Sequence, residues 1–185
     1  MERGSFAAYL GVLHHVEVLL RNAIDQQFPA TDADHVASIC DTDVWLTDPA
    51  FLEDQGREKV NDAIRRLVGE NRRPTRGRLV ASLTLGFWTA LFSGRYEDLW
   101  RSHLVQAFPN GGGRRSEVRG ALARILQLRN QIAHHEAIFA RDLAKDHAHL
   151  LSVAGLIDPE AQRYIAKHSR VVALFPRRPD LLLDR

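Results

Sequence analysis

The sequence lacks the features that mark several large classes of protein. Cys40 is the single cysteine among 185 residues, so there is no disulfide framework and a reducing compartment is indicated. The longest apolar run, residues 79–92, contains Ser82, Thr84 and Thr89 and is shorter than the roughly 20 residues that a transmembrane helix needs. The first 20 residues do not resemble a secretory signal, because histidine and glutamate interrupt their apolar pattern. These absences predict a cytoplasmic protein with no membrane segment.

The sequence also lacks the common motifs for nucleotide and metal chemistry. The three glycines at 111–113 follow a predicted helix and are not continued by Lys-Ser/Thr, so they do not form a phosphate-binding loop. A metal hydrolase is the obvious alternative to consider, since the chain has nine histidines and the run His134-His135-Glu136. Adjacent histidines point about 100° apart on a helix, however, and no H-E-x-x-H is present. We therefore expect no metal and no cofactor.

Basic residues are the minority charge in the first part of the chain, and acidic residues are the minority charge in the second part. Residues 1–71 hold 6 Lys/Arg and 13 Asp/Glu, whereas residues 72–185 hold 19 and 10, and 17 of those 19 cations are arginine. This asymmetry favours a polyanionic partner for the basic part, or an acidic surface of another protomer. The bidentate arginine fork suits RNA or DNA phosphate. A GC-rich coding bias would produce the same enrichment in arginine, so both explanations stay open.

Apolar residues repeat with helical spacing along nearly the whole chain, and no run alternates with period two for long enough to require a sheet. The pattern predicts an all-α bundle of six to seven helices in one domain, residues 1–175, followed by a loose tail, residues 176–185. Trp45 and Leu46 are expected to pack on the core, and Gly56 to be exposed. A long first helix is predicted to end near residue 29, and its apolar stripe contains Phe6, Leu10, Leu13, Glu17, Leu20 and Ile24. The other predicted helices cover residues 49–70, 79–93, 96–108, 116–135, 140–154 and 158–174.

The helix at 116–135 carries the most informative polar residues. Its apolar stripe includes Ile125 and Ile132, and Arg129 falls between them, where a guanidinium is costly unless it is paired or points into a cleft. Asn130 and His134 share one flank. An arginine near a helix end can also extend its charge to solvent and interact favourably with the helix dipole, so the pattern alone allows a structural explanation.

The first helix carries a charge of the opposite sign at a corresponding place. Glu17 lies in its apolar stripe between Leu13 and Leu20, and Arg21 and Asn22 follow about one turn later. A contact between Glu17 and either Arg129 or His134 would explain both interruptions. Such a polar cluster inside a bundle is often a site and sometimes a device for structural specificity.

Three segments, taken in order, resemble a known family. Residues 129–136, read as R-N-x-x-x-H, resemble the R-x4-6-H motif of HEPN-domain ribonucleases. Together with residues 17–22 in the first helix and residues 86–89 before the motif, they resemble the Abi family of abortive-infection proteins. The resemblance covers roughly residues 5–140 and implies a HEPN-like helical domain.

The resemblance implies a metal-independent endoribonuclease and a role as a toxin in anti-phage defence. Its catalytic residues would be Arg129, Asn130 and His134, brought together with a second copy across a homodimer interface, and an antitoxin protein or a regulatory RNA would restrain it. Attack of a ribose 2′-OH on the adjacent phosphate needs a group that titrates near neutral pH and a cation for the phosphorane, which a histidine and an arginine supply.

The other residues would support that chemistry. Four residues are expected to orient the catalytic groups, namely Glu17, Arg21, Asn22 and His135. The RNA backbone would contact exposed arginines, namely Arg72, Arg73, Arg76, Arg78, Arg114, Arg115, Arg119 and Arg124. The alternative is a non-catalytic HEPN-like module that binds RNA or a protein and dimerises.

Overall fold

The computed structural model describes residues 2–28, 45–111, 113–136, 138 and 141–174, with residues 2–6 and 174 described for the backbone only. This part of the chain is helical and contains no strand, which confirms the predicted all-α class. The helices are α1 (Glu2–Asp25), α2 (Asp54–Gly69), α3 (Arg76–Ser82), α4 (Leu85–Ala90), α5 (Glu97–Ser102), α6 (Arg115–Ala133), α7 (Leu143–Ile157) and α8 (Pro159–His168), with short 3₁₀ helices at Trp45–Thr47, Gly94–Tyr96, Leu104–Ala107 and Val171–Leu174. No helix of the described residues is long and apolar enough to cross a membrane.

Helix α1 is the central element of the bundle. It packs against α3, α4, α6, α7 and α8, and its residues Tyr9, Val16, Leu20 and Ile24 are completely buried. Because they are seven, four and four residues apart, these four side chains lie on one side of the helix. The predicted apolar stripe of α1 is confirmed at Leu13, Leu20 and Ile24, whereas Leu10, which it also included, is 52% exposed. Helix α6 packs against α1, α4 and α7.

Side-chain caps fix the start of the last two helices. The Asp142 carboxylate accepts a hydrogen bond from the Lys145 amide at 3.0 Å and begins α7, and Asp158 accepts one from the Glu160 amide at 2.8 Å and begins α8, whose first residue is Pro159. These carboxylates satisfy amides that have no partner within the helix. Helix α8 ends at His168, before the predicted end at residue 174, and the chain continues into a short 3₁₀ helix.

The predicted helix at 49–70 begins later than expected. The Asp48 carboxylate accepts from the Ala50 amide at 2.7 Å, which closes a turn, and α2 starts at Asp54. Gly56, which was expected on the surface, is buried. A Cβ at this position would lie only 3.0 Å from the hydroxyl oxygen of Tyr96. The close approach of the tyrosine explains why a glycine occupies this position.

The predicted apolar helix at 79–93 is divided into two. Leu83 and Thr84 have extended backbone, with ψ of 139° and 161°, and separate α3 from α4. Both halves keep their apolar side chains in the core, so hydropathy alone does not reveal the break. This division raises the number of helices to eight in the described ranges, compared with the six to seven expected.

An aromatic stack joins the two described chain ends that flank residues 29–44. The Phe28 ring lies between Trp45, with centroids 3.9 Å apart, and His103, at 4.9 Å. Trp45 and Leu46 are buried, which confirms that they pack on the core. Residues 29–44 and the predicted tail at 176–185 lie outside the described residues.

His147 should make folding stability depend on pH. Its imidazole is buried in α7, its Nε2 lies 2.8 Å from the Ser169 hydroxyl, and burial lowers its pKa from the ordinary value of about 6.5. As the pH falls below about 6.5, the unfolded chain therefore binds a proton before the folded chain does, and the free energy of unfolding decreases. In urea unfolding between pH 8 and pH 5, the free energy of unfolding should decrease less steeply with falling pH for His147→Gln than for wild type. The matched variant is His14→Gln, at an exposed histidine, and an equal flattening there would contradict the prediction.

Candidate active site

The end of α6 presents the three residues of the predicted motif. Asn130 accepts at its backbone carbonyl from the His134 amide at 2.9 Å, and the Gln131 carbonyl accepts from the Glu136 amide at 2.8 Å. His135 has a left-handed φ of 56°. This pattern is that of a Schellman turn, which stops the helix after Ala133 and makes His134 its C-cap.

The predicted apolar stripe of α6 is largely present. Five of its residues are buried and two, Ala121 and Leu126, are half-buried, whereas Ala133 is exposed because it lies at the outer edge of the stripe in the last turn. The buried members are Val118, Leu122, Ile125, Leu128 and Ile132.

Arg129 is half-buried within this stripe. Its Nη1 donates to the Asn130 side-chain Oδ1 at 3.3 Å. No acidic side chain of the described residues forms an ion pair with this guanidinium, so none of the described carboxylates neutralises its charge. An arginine held in place by an amide and without a carboxylate partner is suited to an anionic ligand.

His134 follows one turn after Asn130 and its side chain is exposed. In the described part of the chain its imidazole has no hydrogen-bond partner, whereas the Arg129 guanidinium is held by Asn130. The site therefore combines a fixed cation with an imidazole that solvent and a substrate can reach. Cleavage of a phosphate ester needs both types of group, an imidazole that transfers protons and a cation that stabilises the negative charge of the transition state.

The expected contact with α1 is not formed within one chain. Glu17 and Arg21 are both half-buried, but no hydrogen bond or ion pair between described residues links either of them to Arg129 or His134. The Arg21 Nε is buried and has no hydrogen-bond partner in the part of the chain that the structure describes. The direct pairing predicted for Glu17 is therefore wrong for the isolated protomer. Partial exposure lets water solvate its carboxylate and removes the need for a buried cation.

Asn22 lies on a different side of α1. One residue corresponds to about 100° of helix rotation, so Asn22 is turned away from Arg21. It is exposed and lines an open groove of about 880 Å³ between α1 and α8, together with His15 and Tyr164. His135, the other residue expected to orient the motif, lies beyond the helix end in the turn.

Two of the eight arginines predicted to bind RNA form structural contacts instead. Arg76 donates to both carboxylate oxygens of Asp25, at 2.9 and 3.1 Å, and to two backbone carbonyls. Arg115 donates to Glu97 at 2.5 Å and to the Phe92 carbonyl at 2.7 Å. Both guanidinium groups are mostly buried, and these bonds occupy the groups that phosphate would need.

The other six arginines are on the surface. The exposed arginines are Arg72, Arg73, Arg78, Arg114, Arg119 and Arg124. Arg124 contacts the His149 Nε2 at 2.8 Å, and Arg114 and Arg72 face glutamates at 3.6 and 3.4 Å. Exposed ion pairs of this kind contribute little to stability and can exchange for phosphate.

A polar clamp beside the motif was not found by sequence reasoning. Arg141 donates through Nε and Nη2 to the two Asp146 oxygens, at 2.6 and 2.8 Å, and through Nη1 to the Gln131 side chain at 2.9 Å. The Tyr9 hydroxyl donates to the Leu143 carbonyl in the first turn of α7. Hydrogen bonding to Asp146 raises the pKa of Arg141, and burial raises that of Tyr9. The sequence signal was the capping residue Asp142, which places Arg141 immediately before a helix.

Neither a metal site among the described residues nor a similar protein assigns a function to this site. Within the described ranges, no group of three or more histidine, cysteine, aspartate or glutamate side chains is placed to hold a metal ion. Comparison of the chain with models of protein families, with curated proteins and with solved structures finds no match. The interpretation of the site therefore depends on its own residues and geometry.

Proposed function

We propose that the protein is a metal-independent endoribonuclease of the HEPN type. The observation that carries the proposal is the arrangement at the end of α6, where Arg129 is held by Asn130 and the exposed His134 follows one helical turn later. The all-α bundle is compatible with the resemblance of residues 129–136 to the HEPN motif. On the same resemblance, we extend the proposal to a cytoplasmic toxin of anti-phage defence that an antitoxin protein or a regulatory RNA restrains.

The proposed reaction assigns one role to each residue. His134 removes the proton from a ribose 2′-OH as its oxygen attacks the adjacent phosphorus, and the bond from phosphorus to the 5′-oxygen breaks. The leaving oxygen takes up a proton, which leaves a 2′,3′-cyclic phosphate and a 5′-OH. Arg129 stabilises the negative charge that develops on the phosphorane. Because the Asn130 Oδ1 accepts from Arg129, the Asn130 amide nitrogen is the atom that donates to a phosphate oxygen.

The proposal includes a homodimer. Among the described residues Arg129 is half-buried without a carboxylate partner and the Arg21 Nε is buried without a hydrogen-bond partner, so the described contacts leave two guanidinium groups incompletely satisfied. A second copy that packs on this side of the bundle would supply acceptors for them and bring two motifs together.

Cleavage of RNA in EDTA tests the proposed function. The purified protein should cut mixed RNA in the presence of the chelator and leave DNA of the same sequence intact, because DNA lacks the 2′-OH. Light scattering on the same preparation at tens of micromolar should give twice the mass of the 20.9 kDa chain. Cleavage that stops in EDTA would contradict the mechanism. A dimer that binds RNA without cutting it would favour the non-catalytic module.

A further inference from the structure

The end of α6 is tied to α7 by hydrogen bonds beside the turn that contains His134. Arg141 connects Gln131, in the last turn of α6, with Asp146, in α7. The backbone carbonyl of the same Gln131 accepts from Glu136 and closes the turn that contains His134 and His135. Gln131 therefore contacts Arg141 through its side chain and closes the turn through its backbone carbonyl.

The clamp is built from mostly buried groups. The side chains of Arg141 and Asp146 are 18% and 11% exposed, and their two parallel bonds fix the plane of the guanidinium. Only the third donor, Nη1, reaches the motif helix, and it does so at 2.9 Å. Tyr9 adds α1 to the clamp, because its hydroxyl donates to Leu143 two residues after Arg141. A lysine at position 141 could pair with Asp146 but has no planar fork to bond Gln131 at the same time.

We propose that Arg141 is a positioning residue for the active site: through Gln131 and Asp146 it fixes the turn that aims the His134 imidazole relative to Arg129. The inference rests on the proposed function for its effect on catalysis, whereas its effect on the turn is independent of any activity. Arg141 does not touch the reacting atoms. It removes freedom from a residue that does, and a misplacement of about 1 Å can cost about 100-fold in rate.

An arginine at the start of α6 provides a matched control. Arg115 lies at the opposite end of α6, its side chain is 20% exposed, and it also bonds a carboxylate and a further oxygen, those of Glu97 and Phe92. Loss of either arginine should therefore reduce global stability to a similar extent. Only the loss of Arg141 should loosen the turn at residues 134–136.

The experiment compares Arg141→Met, Arg141→Lys and Arg115→Met in the full chain, each at a temperature well below its own unfolding transition. Hydrogen exchange of the amides of His134, His135 and Glu136 should be about tenfold faster or more in Arg141→Met and near the wild-type rate in Arg115→Met. For RNA cleavage, Arg141→Met should lower kcat by about 10- to 100-fold with little change in KM, and Arg141→Lys should fall in between.

Two results would overturn the inference. Exchange at residues 134–136 that is unchanged in Arg141→Met, or increased equally in Arg115→Met, would show that the clamp does not hold the turn. An unchanged kcat in Arg141→Met, in a preparation whose wild type cuts RNA, would show that the turn need not be held for catalysis. Failure of the wild type to cut RNA would contradict the proposed function alone, because the exchange measurement would still decide whether Arg141 fixes the turn.

Discussion

Arg129→Ala and His134→Ala should each reduce RNA cleavage in EDTA by about two to four orders of magnitude, the range typical for loss of a proton-transfer group or of an electrostatic stabiliser of the transition state. The fold of the protomer should persist, because His134 is exposed and the only hydrogen bond of the Arg129 side chain among the described residues goes to its neighbour Asn130. Single-turnover cleavage on a gel measures the effect. Asn130→Ala should give a smaller loss, since it removes one phosphate donor and frees the Arg129 side chain.

Two control variants separate chemistry from general damage. Arg163→Ala removes an arginine on the distant helix α8 whose guanidinium pairs with Glu160, and it should keep wild-type cleavage. At position 135 the control is His135→Asn, because φ is 56° and alanine would add strain at a backbone conformation that asparagine tolerates. The double variant Arg129→Ala/His134→Ala should be little worse than either single variant, since residues that act as a unit are not additive. Cleavage by His134→Ala within threefold of wild type would contradict the assignment.

Asp25→Ala should lower the free energy of unfolding by about 2–4 kcal/mol, which is the largest stability effect that we expect outside the apolar core. The Asp25 carboxylate accepts from the Arg76 Nε at 2.9 Å and from the Trp45 Nε1 at 2.7 Å, and it joins the end of α1 to the start of α3. Its loss leaves the indole N–H of a 4% exposed tryptophan without an acceptor and removes the counter-charge of a mostly buried guanidinium.

Urea unfolding at pH 7 measures this effect. Asp62→Ala is the matched variant, because Asp62 also pairs with an arginine, Arg65, but both side chains are well exposed and the pair should be worth under about 1 kcal/mol. Asp25→Asn should lie between Asp25→Ala and wild type, since an amide oxygen can still accept one of the two bonds. An Asp25→Ala variant that is as stable as Asp62→Ala would show that the Arg76 and Trp45 contacts do not stabilise the fold.

The features of the fold that could be predicted from the sequence are those that depend on local periodicity. The apolar faces of α1 and α6 repeat every three to four residues, so Leu13, Leu20, Leu122 and Ile125 could be assigned to the core. The break at Leu83 could not, because both sides of it are equally apolar and only the backbone turns. The early end of α8 was missed for a similar reason.

The same distinction applies to the candidate site. Arg129, Asn130 and His134 lie within one helix and its cap, so their spacing predicts their placement. The assignment of Arg76 to RNA failed because its partner Asp25 lies 51 residues earlier, and a basic cluster in sequence does not show which cations the fold uses. Arg141 was missed because it acts through Gln131 and Asp146, which belong to two different helices.

The most direct test of the account is cleavage of an RNA that carries a single 2′-deoxynucleotide at a mapped cleavage position, in EDTA. We expect that the bond after this nucleotide is no longer cut. The other bonds of the same molecule should be cut as fast as in the unmodified RNA and should yield 2′,3′-cyclic phosphate ends. Cleavage of the modified bond, or products that carry a 5′-phosphate, would show that the 2′-OH is not the nucleophile and would contradict the mechanism assigned to Arg129 and His134.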